Sequence, residues 1–386
     1  MIYIHIENPV LERINKRYSG INPAIGGIQF LAWELFSRLT VIMPENLRLI
    51  TTNFYPNLKK LYGNRYLVIN EVSFDETDIL IASTHEVDYL LEKTVCKNIV
   101  VWSHHPYDVI SRHPRIKTVV TSGKWQSNSV STKNQSYIQN LVPVINFSIK
   151  RKSLNLRKLK FVFIGSVSPA KGLLKIVQNL QKIEADFSRS EFHIIGSAGL
   201  YFGKSSIKKS PATKYQEKVN IALSSLKHIK VVSHGLVQEQ KLEILQRCDV
   251  ALLNPTGKSE AFPSSAIECM ACGLPVIASN KYGMYDTMKH FPETSIHHRN
   301  SFNTILKNII GNPNKFEYLR LRSRMVYEKY LSQNEFVISQ WVYLCNDLSN
   351  GKSIQLGASN EGFSKFFMHF LIIKSRLTKI IKTWLF

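Results

Sequence analysis

Residues 259–279, SEAFPSSAIECMACGLPVIAS, decide the fold. Two glutamates, Glu260 and Glu268, have seven residues between them. Ser264 and Ser265 suit the opening of a helix, a run of small and apolar residues fills it, and a Gly-Leu-Pro turn leads into an apolar strand. A helix that feeds a strand through a tight turn is the repeating step of a parallel α/β sheet. Between Ala261 and Asn280 the only charge is Glu268, and a lone carboxylate in so apolar a run needs a partner. Amides at the helix start favour an anion such as phosphate, and a carboxylate one turn further in has two oxygens for a diol such as ribose.

The same step recurs on either side. FVFIGSVSPAKGLLKIV (161–177) is an apolar strand ending in Gly165, then a loop with Lys171 and Gly172, then a helix, the outline of a phosphate site. EFHIIGS, IKVVSHG and DVALLNP supply further strands, so a βα domain is expected over residues 159–348, closed by the helical runs FEYLRLRSRMVYEKYLSQ and EFVISQWVYLCNDL. Residues 148–160, SIKRKSLNLRKLK, are basic and poor in strand signal and separate this domain from an earlier one. Over residues 1–150 the runs IYIHI, LRLITTN, DILIAST, NIVVWSHH, KTVVTSG and SYIQNLVPVI alternate with amphipathic stretches, a first Rossmann-like domain. In it, Gly26 and Gly27 precede an amphipathic helix, and His104 and His105 end a strand where ligands of parallel sheets lie.

The Glu-seven-Glu segment with ECMACGLPVIA resembles the retaining glycosyltransferases of family 4, with Cys269 where many members have Ala. The strand with Gly165, Lys171 and Gly172 is similar to that family's G-R-x-x-x-x-K-G, with Ser166 at the Arg position. The resemblance implies the GT-B arrangement of two facing Rossmann-like domains, the first binding acceptor and the second a nucleotide sugar. It further implies that Glu260 contacts the donor sugar, Glu268 the ribose and Lys171 the diphosphate. Gly26, Gly27, Gly165, Ser166, Phe262, Ser264 and Ser265 would line the donor site. One of the two histidines would touch the donor sugar, His104 preferred to His105. The implied reaction moves a sugar to an acceptor hydroxyl with retention and without a metal or other cofactor. A sugar-nucleotide epimerase and an inactive GT-B homologue acting as a binding subunit are the alternatives, the latter because Ser166 brings no charge. Lys204, Lys208 and Lys209 are candidates to replace the missing Arg.

Composition sets the surroundings. Fifty Lys and Arg against 28 Asp and Glu give a net charge of +22, which calls for an anionic partner. No nucleic-acid motif or aromatic interleaving accompanies the lysines, so a phospholipid surface and a lipid-linked or lipopolysaccharide acceptor are expected instead, with Arg13, Lys16 and Arg17 adding to a basic N-terminal region. No apolar run is long enough to cross a bilayer and no signal peptide is evident, which predicts a cytoplasmic protein, peripheral on the inner face of the membrane. Residues 349–362 read as a linker to a basic amphipathic helix at 363–386, with Phe366, Phe370, Ile373, Leu377, Ile380, Ile381 and Trp384 on one stripe. An interfacial anchor and a helix packed on the protein both fit that stripe. The five cysteines show no disulfide or metal spacing, and Cys269 and Cys272 read as packing.

Overall fold

A computed structural model describes residues 1–7, 11–12, 14, 27–105, 113–129, 134–145, 158–197, 211–235, 240–258, 260–297 and 301–352. Gly26, Arg13, Lys16, Arg17, Lys204, Lys208, Lys209 and the whole stretch from 353, with the expected tail helix, lie outside the described residues.

The first sheet is built from β1 (Ile2–His5), α1 (Gly27–Ile42), β2 (Leu47–Thr51), α2 (Pro56–Tyr62), β3 (Tyr66–Val68), β4 (Ile79–Ser83), α3 (Val87–Lys93), β5 (Asn98–Ser103), β6 (Ile116–Thr121), α4 (Lys124–Ser129) and β7 (Gln135–Tyr137). Its seven strands are all parallel, in the order β3-β2-β1-β4-β5-β6-β7. The central strand β4, ILIAS, is buried along its whole length, which is why it reads as an unbroken apolar run.

The second sheet follows with β8 (Lys160–Ile164), α5 (Leu173–Gln181), β9 (Glu191–Ile195), α6 (Pro211–Ser224), β10 (Lys230–Gly235), α7 (Lys241–Arg247), β11 (Val250–Leu252), α8 (Ser264–Ala271), β12 (Val276–Ser279), α9 (Met284–Met288) and β13 (Ser295–Ile296). Its six strands are also parallel, ordered β10-β9-β8-β11-β12-β13. Three helices complete the chain: α10 (Phe302–Ile310), α11 (Pro313–Leu331) and α12 (Asn334–Ser349). Two doubly wound parallel sheets make the GT-B fold. In each sheet the strand order reverses once, between β1 and β4 and between β8 and β11, and ligands of such sheets lie at the carboxyl ends of the strands at that reversal.

The two C-terminal helices part company. Helix α11 buries Phe316, Leu319, Tyr327 and Tyr330 in the core of the second sheet, as expected. Helix α12 does not close that domain: its Val337, Ile338, Trp341, Leu344 and Cys345 join the core beneath the first sheet with Trp33, Phe36 and Trp102. An apolar stripe in the sequence shows that a helix is buried but not which sheet it covers. Polar bonds fix the crossover at both ends. Asn334 accepts from the Val142 amide at 2.9 Å and donates to its carbonyl at 2.7 Å, and the Tyr327 hydroxyl accepts from the Ile145 amide at 2.7 Å. Trp341 is fully buried with its ring 4.9 Å from that of Trp102. Trp341→Ala is therefore expected to cost about 3–5 kcal/mol and to lower the denaturation midpoint of the first domain in a urea titration followed by circular dichroism.

All five cysteines are buried free thiols. Burial pushes Cys269 well above its ordinary value and Cys272 up to about 12, which fits the packing role expected of that pair.

Candidate active site

The C-terminal sheet brings Lys171 and Glu260 together. β8 ends at Ile164, and the loop from Gly165 turns back through Lys171 to Gly172, where α5 starts. Gly172 has φ +70°, and a Cβ there would meet the Pro255 ring at 2.9 Å, so only glycine lets this loop close against the one after β11. The Lys171 ammonium consequently reaches Glu260 Oε1 at 2.5 Å, with the lysine about a fifth exposed and the glutamate buried. Asn254, just past β11, donates to the same oxygen at 3.2 Å and to the Lys258 carbonyl at 2.8 Å, while its own oxygen accepts from the Gly257 amide at 2.9 Å. The Glu260 carbonyl accepts from the Gly283 amide at 3.0 Å. The carboxylate is thus held on both its side chain and its backbone, at the strand reversal of the second sheet.

Helix α8 begins at Ser264 as its serines predict, although Pro263 sits at the cap position and makes no side-chain bond. One turn in, Glu268 is paired with Lys241, the first residue of α7, at 2.7 Å. Ser166 is buried with its hydroxyl 3.2 Å from that of Ser168. Phe262 packs edge-on against Tyr330 at 5.8 Å between ring centres.

In the first domain His104 follows β5 and lines a small recess with His5, Gln29, Ser83, Glu86 and Trp102, at the reversal between β1 and β4. His105 does not line it; its ring lies 4.9 Å from His85. The recess also holds an arrangement that the sequence reading passes over: His5 Nδ1 is 3.0 Å from Glu86 and its Nε2 is 3.2 Å from the Thr52 hydroxyl. The available signal is a polar residue ending an otherwise apolar strand, IYIH. Gly27 opens α1 and is exposed. His193 sits between Glu191 at 3.0 Å and His234 at 2.9 Å.

The two halves meet beside these groups. Gln126 donates to the Ser103 hydroxyl at 2.7 Å and to the His105 carbonyl at 2.9 Å, the residues on either side of His104. Three residues earlier, Gly123 presses on the other domain so closely that a Cβ would lie 2.1 Å from the Ala261 carbonyl oxygen, next to Glu260. The Trp125 amide donates to Asp286 at 2.9 Å, and the Trp125 ring stands edge-on to Tyr282 at 5.3 Å. Tyr282 has φ +56°, an uncommon conformation for so large a side chain, held where the domains touch. The first domain's side of the seam thus bonds the residues flanking His104, and the second domain's side is Ala261, next to Glu260.

Burial raises the Asp286 carboxyl above its ordinary value, against the lowering pull of the Trp125 amide and of Lys289. Folded protein then binds more protons than unfolded, so this group's contribution to stability declines as pH rises from the ordinary carboxylate range through the raised value. Asp286→Asn keeps an acceptor for Trp125 and carries no charge. It is expected to melt above the unaltered protein at pH 7 and together with it at pH 3, by differential scanning calorimetry.

Among the described residues no group of three or more His, Cys, Asp or Glu is placed to hold a metal ion, and no helix is long and apolar enough to cross a membrane. Residues 145–319 match the family model described as glycosyl transferases group 1. A curated relative, the lipopolysaccharide 1,2-N-acetylglucosaminetransferase of Salmonella typhimurium, is 26% identical over 136 residues, which span 35% of this chain and 34% of the relative. The chain therefore aligns with about a third of that protein's length. The sucrose-phosphate synthase structure from Thermosynechococcus elongatus superposes with a TM-score of 0.61 at 14% identity, over 91% of this chain and 100% of that one. Anabaena HepE in complex with UDP-glucose gives 0.56 at 14% identity, over 89% and 100%. The protein has the GT-B fold, and the Lys171–Glu260 pair lies within the residues that match the group 1 glycosyl transferase model.

Proposed function

We propose that this protein is a retaining glycosyltransferase that moves a sugar from a nucleoside diphosphate sugar to a hydroxyl of a lipid-linked or lipopolysaccharide acceptor. The observation that carries the reading is the Lys171–Glu260 pair, fixed by Asn254 at the strand reversal of the second sheet. Lys171 and the first amides of α8 take the charge of the donor's diphosphate, and Glu260 orients hydroxyls of the sugar. Glu268 accepts from the ribose hydroxyls, and His104 meets the sugar from the first domain. The bond from the anomeric carbon to the diphosphate breaks as a bond to the acceptor oxygen forms on the same face. The leaving phosphate oxygen takes the acceptor's proton, so no side chain acts as base. Lysine and amide donors supply the cationic surroundings, and the reaction is expected to persist in EDTA.

Two observations favour the acceptor class: the net charge of +22, and the lipopolysaccharide N-acetylglucosaminetransferase activity for which the Salmonella relative is named. The same charge, with the basic amphipathic sequence at 363–386, supports residence on the inner face of the cytoplasmic membrane. Ser166 favours a second reading, a subunit that binds donor without turnover, because its buried hydroxyl supplies no charge to a leaving diphosphate.

The test is proton NMR of the glycoside formed from a defined donor. A coupling constant showing the donor's own anomeric configuration supports retention, and the opposite configuration rejects it. Altered donor sugar with no acceptor present identifies an epimerase.

A further inference from the structure

We infer that Lys241 is a positioning residue for the nucleotide, holding the Glu268 carboxylate ready for the ribose; this rests on the donor reading above. Both glutamates of the Glu-seven-Glu segment carry a lysine from another element: Lys171 on Glu260 and Lys241 on Glu268. In the second pair both side chains are 12% exposed, so neither charge is well solvated. Among the described residues Lys241 Nζ is the hydrogen-bond partner of the Glu268 carboxylate, at 2.7 Å from Oε1. The thiols of Cys269 and Cys272 beside it are buried and neutral, their ionisation pushed up by burial and by Glu268 itself. They give the carboxylate no countercharge.

Position follows from the winding of the sheet. Helix α7 leaves the carboxyl end of β10 and α8 follows the carboxyl end of β11, so Lys241 and the first turns of α8 share the edge where ligands bind. Lys241 occupies Oε1 and leaves Oε2 to accept from a vicinal diol. It also cancels a charge that would repel an incoming diphosphate, in a site where Ser166 brings no cation. Without the ammonium, a buried carboxylate in an apolar pocket is penalised as an anion and turns toward water, and ribose recognition goes with it.

The experiment is isothermal titration of the full chain with UDP, GDP, ADP and CDP and with the 2′-deoxy analogue of each. It uses the unaltered protein, Lys241→Met, Lys241→Gln and Lys241→Arg, with melting curves to show that each folds. The unaltered protein is expected to prefer one ribonucleotide to its deoxy analogue by about tenfold or more. Lys241→Met and Lys241→Gln should bring that ratio to within about twofold while weakening the ribonucleotide about tenfold, and Lys241→Arg should restore it. A merely structural lysine would weaken both nucleotides alike, so an unchanged ratio in folded Lys241→Met overturns the inference alone. Binding of a ribonucleotide with no preference over its deoxy analogue also overturns the inference alone, whereas failure of the unaltered protein to bind any of UDP, GDP, ADP and CDP overturns the donor reading, and this inference with it.

Discussion

Glu260→Gln and Lys171→Met are each expected to lower sugar transfer by about 10²- to 10³-fold, with Lys171→Met acting on turnover and Glu260→Gln on both turnover and donor affinity. Removing a preorganised charge from a leaving group costs that much in acyl-transfer sites, and a misplaced sugar loses a similar factor. The pair itself gives a sharper readout. Each single replacement leaves a poorly solvated partner, at a cost of about 1–3 kcal/mol, whereas Lys171→Met with Glu260→Gln removes both charges together. The double variant is expected to melt above at least one single variant while transferring no faster than either. Additive losses of stability would show that the 2.5 Å contact carries no coupling.

Gly123→Val is expected to abolish most activity without unfolding either domain. A Cβ at this position would sit 2.1 Å from the Ala261 carbonyl oxygen, well inside any real contact, so the seam has to open or the loop before α8 has to move. Opening would separate Trp125 from Tyr282 and Asp286, and would draw the first domain away from Glu260. The expected result is an activity loss of at least about 100-fold, as misplacement by an ångström produces. A larger radius of gyration in small-angle scattering and a shifted tryptophan emission should accompany it, with far-ultraviolet circular dichroism preserved. A folded variant with normal turnover would show that the domains work apart.

Much of this architecture was legible in the sequence because parallel strands buried on both faces declare themselves as apolar runs. β1, β2, β4, β5, β6 and β8 to β12 all fall in segments read as strands. β3 and β13, three and two residues long at the sheet edges, have too little pattern to show, and SYIQNLVPVI shares only Ser136 and Tyr137 with the three-residue β7. The placing of α12 was not legible, since Trp341 looks the same in a sequence whichever core receives it. In the candidate site, Lys171, Glu260 and Glu268 were singled out through motif spacing. Lys241 and Asn254 were missed because each reaches its glutamate across elements: nothing local in KLEILQR or ALLNP announces an ion pair or a clamp. Asp286, His5 and Glu86 were missed for the same reason, their partners being 47 to 161 positions away. Sequence alone also left His104 and His105 open, and the recess takes in only the first.

Sugar transfer is tested first by acceptor-dependent release of nucleoside diphosphate. Purified full-length protein is incubated with a panel of nucleoside diphosphate sugars, with and without a membrane-lipid extract, and compared with Glu260→Gln. Release from one donor is expected to rise at least about tenfold with the extract and to be lost in the variant. Donor binding with no release under either condition, or release that Glu260→Gln leaves intact, would contradict the transferase reading.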